Sequence, residues 1–104
     1  ITMCDVVGNP NDLHVTGTID DEVFTKDHTG NYRFSVETCI SEASRYFTLE
    51  PGDMISFGTT GKGVGRFPRG HKSLLLGEIT GVVGIEIEPL GRLANPVRHQ
   101  KGGA

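Results

Sequence analysis

The chain has 104 residues, 15 of them glycine, and a formal net charge of -3 at pH 7. This length allows one small domain with a thin core, because a chain of this size buries only about two thirds of its surface. The negative charge argues against general attraction to nucleic acid or anionic lipid, and no apolar run approaches the roughly 20 residues of a spanning helix. We therefore expect neither nucleic acid nor a membrane as a partner.

The cysteine content and the N-terminus bear on the cellular compartment. Cys4 and Cys39 are too few for a disulfide scaffold. A single bridge between them is possible, but two free thiols in a cytosolic protein are the favoured interpretation. No secretory signal peptide is visible, and the chain begins at Ile1, which indicates processing, truncation or a fragment. We expect a cytoplasmic protein.

The first predicted elements are a loop and a β-hairpin. Residues 5–12 form the loop, because they carry glycine, proline and two asparagines. Alternating apolar residues over 13–19 predict a strand with one buried face, and 22–25 form the returning strand. The connecting pair at 20–21 is Asp-Asp, which is weak hairpin chemistry because the second position usually needs a positive φ. A polar loop follows over 26–31.

One main helix is predicted near residues 35–47. Ser35 can cap the free N–H groups of the first turn, and Glu37 lies where the helix dipole favours an anion. Apolar side chains three or four positions apart form one stripe. These are Val36, Cys39, Ile40, Ala43 and Phe47. The helix should end before Pro51.

The second half is predicted to be short strands joined by turns. A buried strand is expected at 54–57, a glycine-rich loop at 58–70, and a closing hairpin with strands at 82–88 and 93–97. The tail, 98–104, is polar and glycine-containing, and we expect it to be flexible. The pattern as a whole predicts an α+β chain that is mostly β.

The sequence GTTGKGVG, residues 58–65, is the densest functional signal. Glycines there allow backbone N–H groups to approach a ligand closely. A Walker phosphate loop is excluded, because Ser56 occupies the position of its first glycine and Lys62 is followed by glycine. Two interpretations stay open: a plain structural turn, or an anion-binding loop with Thr59 and Thr60 as donors.

Basic residues cluster within and after this loop. Within eleven residues lie Lys62, Arg66, Arg69, His71 and Lys72. A solvated positive face is the simplest interpretation, and a rim that steers acidic small molecules is the second. Contact with RNA is a third, weakened by the single phenylalanine available for stacking.

Neither a metal site nor a nucleophile is predicted within the chain. The adjacent carboxylates of residues 20–22 lie in a turn, where side chains seldom converge on one ion. The histidines lack the near spacing of a zinc pair. They are His14, His28, His71 and His99. No G-x-S-x-G motif is present, and neither cysteine has a recognisable partner motif. We assign no catalytic residue and no metal ligand.

The run from Phe34 to Gly65 resembles the C-terminal hallmark of the fumarylacetoacetate hydrolase (FAH) family. In that family a phrase of the kind F-S-V, helix, S-R-x-x-T-L-E-P-G-D-v-I leads into T-G-T-P-x-G-V-G. Residues that fit are Phe34, Ser35, Val36, Ser44, Arg45, Thr48 to Asp53, Ile55, Gly58, Thr59 and Gly63 to Gly65. Gly81 to Pro96 is similar to the family's closing strand and turn, and Asp5, Pro10 and Leu13 fit the segment before its central hairpin. The resemblance spans nearly the whole chain.

This resemblance implies a fold and an assembly. The fold is a mixed β-roll, of which residues 1–104 are the C-terminal part of a single FAH-like catalytic domain. The missing N-terminal segment of the same protein would complete it, this chain alone would be inactive, and the protein would be a homodimer. Members use Mg²⁺ or Mn²⁺ to chelate an oxo-acid and stabilise its enolate. The family's metal ligands lie upstream of the region matched here.

The resemblance also implies substrates and substrate-binding residues. Members act on 2-oxo or 2,4-dioxo carboxylic acids, so we expect a metal-dependent hydrolase or lyase that cleaves a carbon–carbon bond through an enolate. A decarboxylase or tautomerase of oxo-acids, or a non-catalytic binding or assembly module with the same fold, are the alternatives. Thr59 would hydrogen-bond the substrate carboxylate, with Gly58 allowing close approach. Thr60 and Lys62 are further candidates, in a stretch one residue longer than the family's and without its proline.

Overall fold

The computed structural model describes residues 1–59 and 61–101 of the chain. Its helices are α1 (Cys4–Val7) and α2 (Val36–Ser44), and its strands are β1 (His14–Ile19), β2 (Glu22–His28), β3 (Gly81–Ile87) and β4 (Gly91–Val97). Short 3-10 turns cover Thr29–Asn31, Gly70–Ser73 and Leu76–Glu78. The prediction of a mostly β, α+β chain with one main helix is confirmed.

The four strands form one sheet in the order β2-β1-β3-β4, and each of these pairings is antiparallel. Two hairpins, β1–β2 and β3–β4, therefore join through their first strands. Pro96 lies in β4, an edge strand of the sheet, which is where a sheet tolerates proline. Both predicted hairpins are confirmed, and β2 forms the opposite edge.

Strand β2 runs further than predicted. Residues 26–28 were expected in a polar loop, but they continue the ladder as far as the pairing of His14 with His28. The polar side chains misled the prediction, because the backbone pairing of residues 26–28 with β1 continues the strand whatever the polarity of the side chains. The extension places Asp27 inside a regular strand.

A bulge in the β1–β2 ladder shapes the small core. Gly17 pairs with Thr25 and Thr18 pairs with Val23, so Phe24 is an extra residue on β2. Both Phe24 and Thr25 are buried, and the Phe24 ring lies where a Cβ on Gly17 would be. The bulge thus turns Phe24 into the core, where it joins the other buried apolar side chains. These are Leu13, Val15 and Phe67.

Helix α2 begins as predicted and ends early. The Ser35 hydroxyl accepts a hydrogen bond from the Thr38 N–H at 3.2 Å, and the Asn11 side-chain carbonyl accepts one from Val36 N–H at 2.9 Å. The helix ends before Pro51, as predicted, and its last residue is Ser44. Phe47 is 70% exposed, and without packing of that side chain the helix tightens into turns after Ser44.

Two further predictions about local structure are wrong. The predicted N-terminal loop over 5–12 contains part of α1, whose first turn is closed by hydrogen bonds to the carbonyls of Cys4 and of the preceding residue, Met3. The stretch 54–57 is not assigned to a strand, and Met54 is 93% exposed. Apolar composition alone suggested burial there, whereas a strand also needs a hydrogen-bonding neighbour.

The described part of the chain is expanded for its size. Its radius of gyration is 16.4 Å, against about 13 Å for a compact domain of this length. Large apolar side chains lie on the surface, among them Tyr46, Leu75 and Leu76. Cys4 and Cys39 are free thiols. Within the described residues no helix has both the length and the apolar character needed to cross a membrane.

Candidate functional site

The glycine loop lies along the free edge of β2. The Lys62 carbonyl accepts hydrogen bonds from Lys26 N–H at 3.1 Å and from the Thr25 hydroxyl at 2.9 Å. Thr25 and Gly63 also form an isolated antiparallel bridge. The loop therefore covers part of a strand edge that would otherwise present unpaired backbone groups.

Asp27 fastens the same loop through its side chain. One carboxylate oxygen accepts hydrogen bonds from the backbone N–H groups of Gly61 and Lys62, at 3.1 and 3.2 Å. The other accepts from His28 N–H at 2.8 Å and from the Asn31 amide at 2.7 Å. Burial alone would raise the pKa of Asp27, but these hydrogen bonds outweigh it and hold the pKa below its ordinary value of 3.8.

The glycines allow the loop to pack on itself. A side chain on Gly63 would collide with the backbone of Phe67 and Pro68. Gly70 has a φ of +59° and lies against the carbonyl of Gly61, so it too has no room for a Cβ. The packing of the loop on itself therefore requires glycine at these two positions.

The far end of the loop is held by an ion pair and an aromatic contact. The Arg66 guanidinium donates to both carboxylate oxygens of Glu22, at 2.7 and 2.8 Å. The hydrogen bond from Arg66 is the main reason that the pKa of Glu22 is lowered. Phe67 packs edge-on against Phe24 with ring centroids 6.2 Å apart. Arg66 therefore has a structural partner and does not line the cleft described next.

An open cleft of about 650 Å³ lies beside the loop. Its lining residues are Asp27, Thr59, Gly61, Lys62, Arg69, His71 and Lys72. Two of the predicted substrate-binding residues, Thr59 and Lys62, thus share one cleft. Gly58 is not among its lining residues; it has a φ of +85° and its carbonyl accepts a hydrogen bond from the Tyr32 hydroxyl at 3.1 Å. Thr60 lies outside the described residues.

The cleft is positively charged in a chain that is negatively charged overall. Three cationic side chains face one carboxylate, so the lining carries a formal charge of +2 with His71 neutral. The carboxylate is Asp27, which already accepts four hydrogen bonds. The cationic residues are exposed, so the cleft is accessible to a small anion from solvent.

Of the basic cluster found in the sequence, most members converge here. His71 packs its ring against the Cα of Gly61, which brings the turn at 69–72 against the loop. Asp27 was missed, because the sequence placed it in a polar loop. No sequence signal marks Asp27, because the extent of β2 to His28 and the segment that lies beside it are set by the fold.

The metal that the resemblance implies does not fit the side chains described here. Across residues 1–59 and 61–101 no group of three or more His, Cys, Asp and Glu side chains could hold a metal ion. Asp27 is committed to backbone and amide donors. We derive no chemical step through a metal from this chain.

Comparison with known proteins decides the family. A family model described as fumarylacetoacetate (FAA) hydrolase C-terminal matches residues 1–98. The chain belongs to the fumarylacetoacetate hydrolase family. The matched range includes both hairpins, helix α2 and the whole cleft of the FAH-family chain.

Curated relatives give the family context. A fumarylacetoacetate hydrolase domain-containing protein 2 homolog of Dictyostelium discoideum is 37% identical over 94 residues, covering 90% of this chain and 30% of that protein. A mitochondrial oxaloacetate tautomerase of Xenopus laevis is 34% identical, covering 89% and 28%. A 4-hydroxyphenylacetate degradation bifunctional isomerase/decarboxylase of Salmonella dublin is 31% identical, covering 89% and 19%. The chain thus spans less than a third of the length of these relatives, and no solved structure matches it.

Proposed function

We propose that this chain supplies the carboxylate-binding cleft of an enzyme that interconverts the keto and enol forms of a small 2-oxo carboxylic acid. One observation carries the proposal. The fold gathers the Thr59 hydroxyl and the cations of Lys62, Arg69 and Lys72 around a single open cleft in an otherwise acidic chain. Such a cleft is suited to a compact, multiply charged anion.

Electrostatics connects this cleft to enolate chemistry. Removal of a proton next to an oxo group leaves negative charge on the oxo-acid beside a carboxylate that is already charged. Cations held near that carboxylate offset the added charge, and they do so most in the transition state, where it develops. A hydroxyl such as that of Thr59 can fix the orientation of the carboxylate. The proton-transferring groups are not assigned within this chain.

The names of the relatives bear on the reaction type. The sequence placed carbon–carbon hydrolysis or lysis first and decarboxylation or tautomerisation second. Relatives are named as an oxaloacetate tautomerase and as an isomerase/decarboxylase, which favours the second reading for this chain. Hydrolysis of a carbon–carbon bond passes through the same kind of enolate as tautomerisation but also needs a positioned water molecule. An assay of the products therefore separates hydrolysis from tautomerisation.

Several parts of the proposal concern groups outside this chain. We propose that Mg²⁺ or Mn²⁺ acts on the oxo-acid and is held by ligands from a further segment of the protein. Exposed apolar side chains such as Phe47 and Leu76 support a covering partner, either that segment or the second subunit of a homodimer. A cytoplasmic location stays a prediction, whereas the named tautomerases of Xenopus laevis and rice are mitochondrial.

A substitution at Thr59 tests the proposed role of the cleft. In the full-length protein, Thr59→Val removes the hydroxyl and keeps the shape. We expect KM for a 2-oxo dicarboxylic acid such as oxaloacetate to rise about tenfold, the effect of losing one hydrogen bond to a charged group. Steady-state kinetics of the keto–enol interconversion, followed by ultraviolet absorbance, measure it.

Thr80→Val is the matched control, because Thr80 lines a different cavity beside Leu74 and Ile79. It should leave KM unchanged. Equal KM values for Thr59→Val and the wild-type protein would refute the assignment of Thr59. Absence of turnover of any 2-oxo acid by the wild-type protein would refute the proposed function itself.

A further inference from the structure

We propose that Asp27 is a positioning residue of the cleft: it fixes the glycine loop on β2 so that Lys62 and the basic turn at 69–72 face one substrate anion. This inference rests on the proposed function. Asp27 is not predicted to touch substrate. Its effect is transmitted through the loop backbone that it holds.

The hydrogen bonds of Asp27 assign it this role. Each carboxylate oxygen accepts two N–H donors, at distances between 2.7 and 3.2 Å. Two donors belong to its own hairpin, at His28 and Asn31, and two belong to the glycine loop, at Gly61 and Lys62. Asp27 thus joins the hairpin to the glycine loop, whose Gly61 and Lys62 are 34 and 35 residues away from it in sequence. With four acceptor positions in use, its negative charge is dispersed over N–H donors.

This arrangement changes how the loop can bind an anion. One of the two interpretations of the sequence was an anion-binding loop, in which glycines let loop N–H groups approach a ligand and Thr59 and Thr60 are donors. The N–H groups of Gly61 and Lys62 instead donate to Asp27. Those two N–H groups are therefore engaged by Asp27, and the side chains that line the cleft, Thr59 and Lys62 with its cationic neighbours, are the proposed contacts of an anion.

The main chain of Lys62 is fixed on both sides. Its N–H donates to Asp27, and its carbonyl accepts from Thr25 and Lys26 on the same strand. Only the Lys62 side chain is left to move. On the other side of the loop, the His71 ring packs on the Cα of Gly61, whose N–H is also held by Asp27. Displacement of the loop would therefore shift Lys62 and the 69–72 turn together.

A carboxylate is required at position 27, since an amide cannot replace it. All four surrounding groups are N–H donors. An asparagine would turn its own NH₂ group toward either the two loop N–H groups or the His28 N–H, and donors would then face donors. Asp27→Asn keeps the size of the side chain but removes its ability to accept all four hydrogen bonds.

The test compares Asp27→Asn with the wild-type full-length protein. We expect KM for oxaloacetate to rise about tenfold with kcat changed less than threefold, because the cleft is displaced and the proton-transferring groups are not. Oxalate, a planar dianion that resembles an oxo-acid enolate, should bind about tenfold more weakly by calorimetry. Amide hydrogen exchange at Gly61 and Lys62 should become faster in the variant.

Glu22→Gln is the matched control. Glu22 lies on the same strand and holds the other end of the loop through Arg66, away from the cleft. It should leave KM and oxalate affinity unchanged. Asn31→Ala removes one of the four bonds to Asp27 and should raise KM in the same direction by a smaller factor, which keeps the test usable if Asp27→Asn folds poorly.

Three results would overturn the inference. One is an unchanged KM and oxalate affinity in Asp27→Asn. Another is tighter oxalate binding, which would mean that Asp27 competes with the ligand for the loop N–H groups. The third is a rise in KM for Glu22→Gln as large as that for Asp27→Asn. It would mean that any contact that holds the loop has the same effect and that Asp27 has no specific role. If the wild-type protein shows no turnover, the proposed function is refuted but the inference about Asp27 is not. Oxalate affinity and hydrogen exchange still test the role of Asp27 in that case.

Discussion

At the scale of single residues, Asp27 shows that the partners of a side chain cannot be inferred from the sequence alone. Its identity is plain, but its partners in the loop are 34 and 35 positions away, and a one-dimensional pattern does not show which loop folds back on which strand. Thr59 and Lys62 were proposed from a motif, because the glycines around them lie close together in sequence. The residues proposed to bind substrate could therefore be named from the sequence, whereas Asp27, which we propose positions Lys62, could not.

Asp27 makes a prediction about pH at this scale. Its pKa in the folded protein lies below the ordinary 3.8, so the ionised group stabilises the folded state above that value. This stabilisation is lost as the pH falls through the lowered pKa. The free energy of unfolding of the wild-type protein should therefore approach that of Asp27→Asn as the medium becomes acidic. Urea unfolding at a series of pH values measures the difference, and a gap that widens toward acid would contradict it.

At the scale of elements, sequence signals that act over a few residues predicted helix and strand starts correctly, whereas the extent of the elements was predicted less well. The Ser35 cap and the alternation over residues 13–19 depend on neighbours within a few positions, and both predictions are confirmed. The end of α2 and the stretch 54–57 depend on what packs against them. Those contacts come from elsewhere in the fold, so the apolar side chains of Phe47 and Met54 suggested burial that does not occur.

The β1–β2 turn makes a prediction at the element scale. Asp20 and Asp21 have φ values of +48° and +68°, which most side chains disfavour. Asp20 is compensated, since its side chain accepts a hydrogen bond from Val82 N–H at 2.8 Å. Within the part of the chain that the structure describes, the side chain of Asp21 pairs only with Arg92, at 3.1 Å and across an exposed surface.

Replacing Asp21 by glycine should therefore stabilise the protein. Asp21→Gly relieves the left-handed conformation and loses a weak surface pair, for a net gain in unfolding free energy of about 0.5 kcal/mol. Asp21→Asn is the control, because asparagine tolerates this conformation and lacks the charge. Chemical denaturation measures both. A lower midpoint for Asp21→Gly would show that the Arg92 pair outweighs the backbone strain.

At the scale of the whole molecule, an expanded sheet with a thin core supports a cleft on one edge. The radius of gyration of 16.4 Å and the exposed apolar side chains support the proposed covering partner, and the chain spans 30% and 28% of the Dictyostelium discoideum and Xenopus laevis relatives. Family and fold class followed from the sequence, since the FAH hallmark is contiguous. The position of the positive cleft followed only from the way the loop lies on β2.

The most direct test is the position of oxalate in a crystal structure of the full-length protein. The proposed function predicts that one carboxylate of oxalate lies in the cleft, within hydrogen-bond distance of the Thr59 hydroxyl and of at least one cation among Lys62, Arg69 and Lys72. Oxalate bound elsewhere, with this cleft filled only by solvent, would contradict the central claim that this chain provides the carboxylate-binding part of the active site.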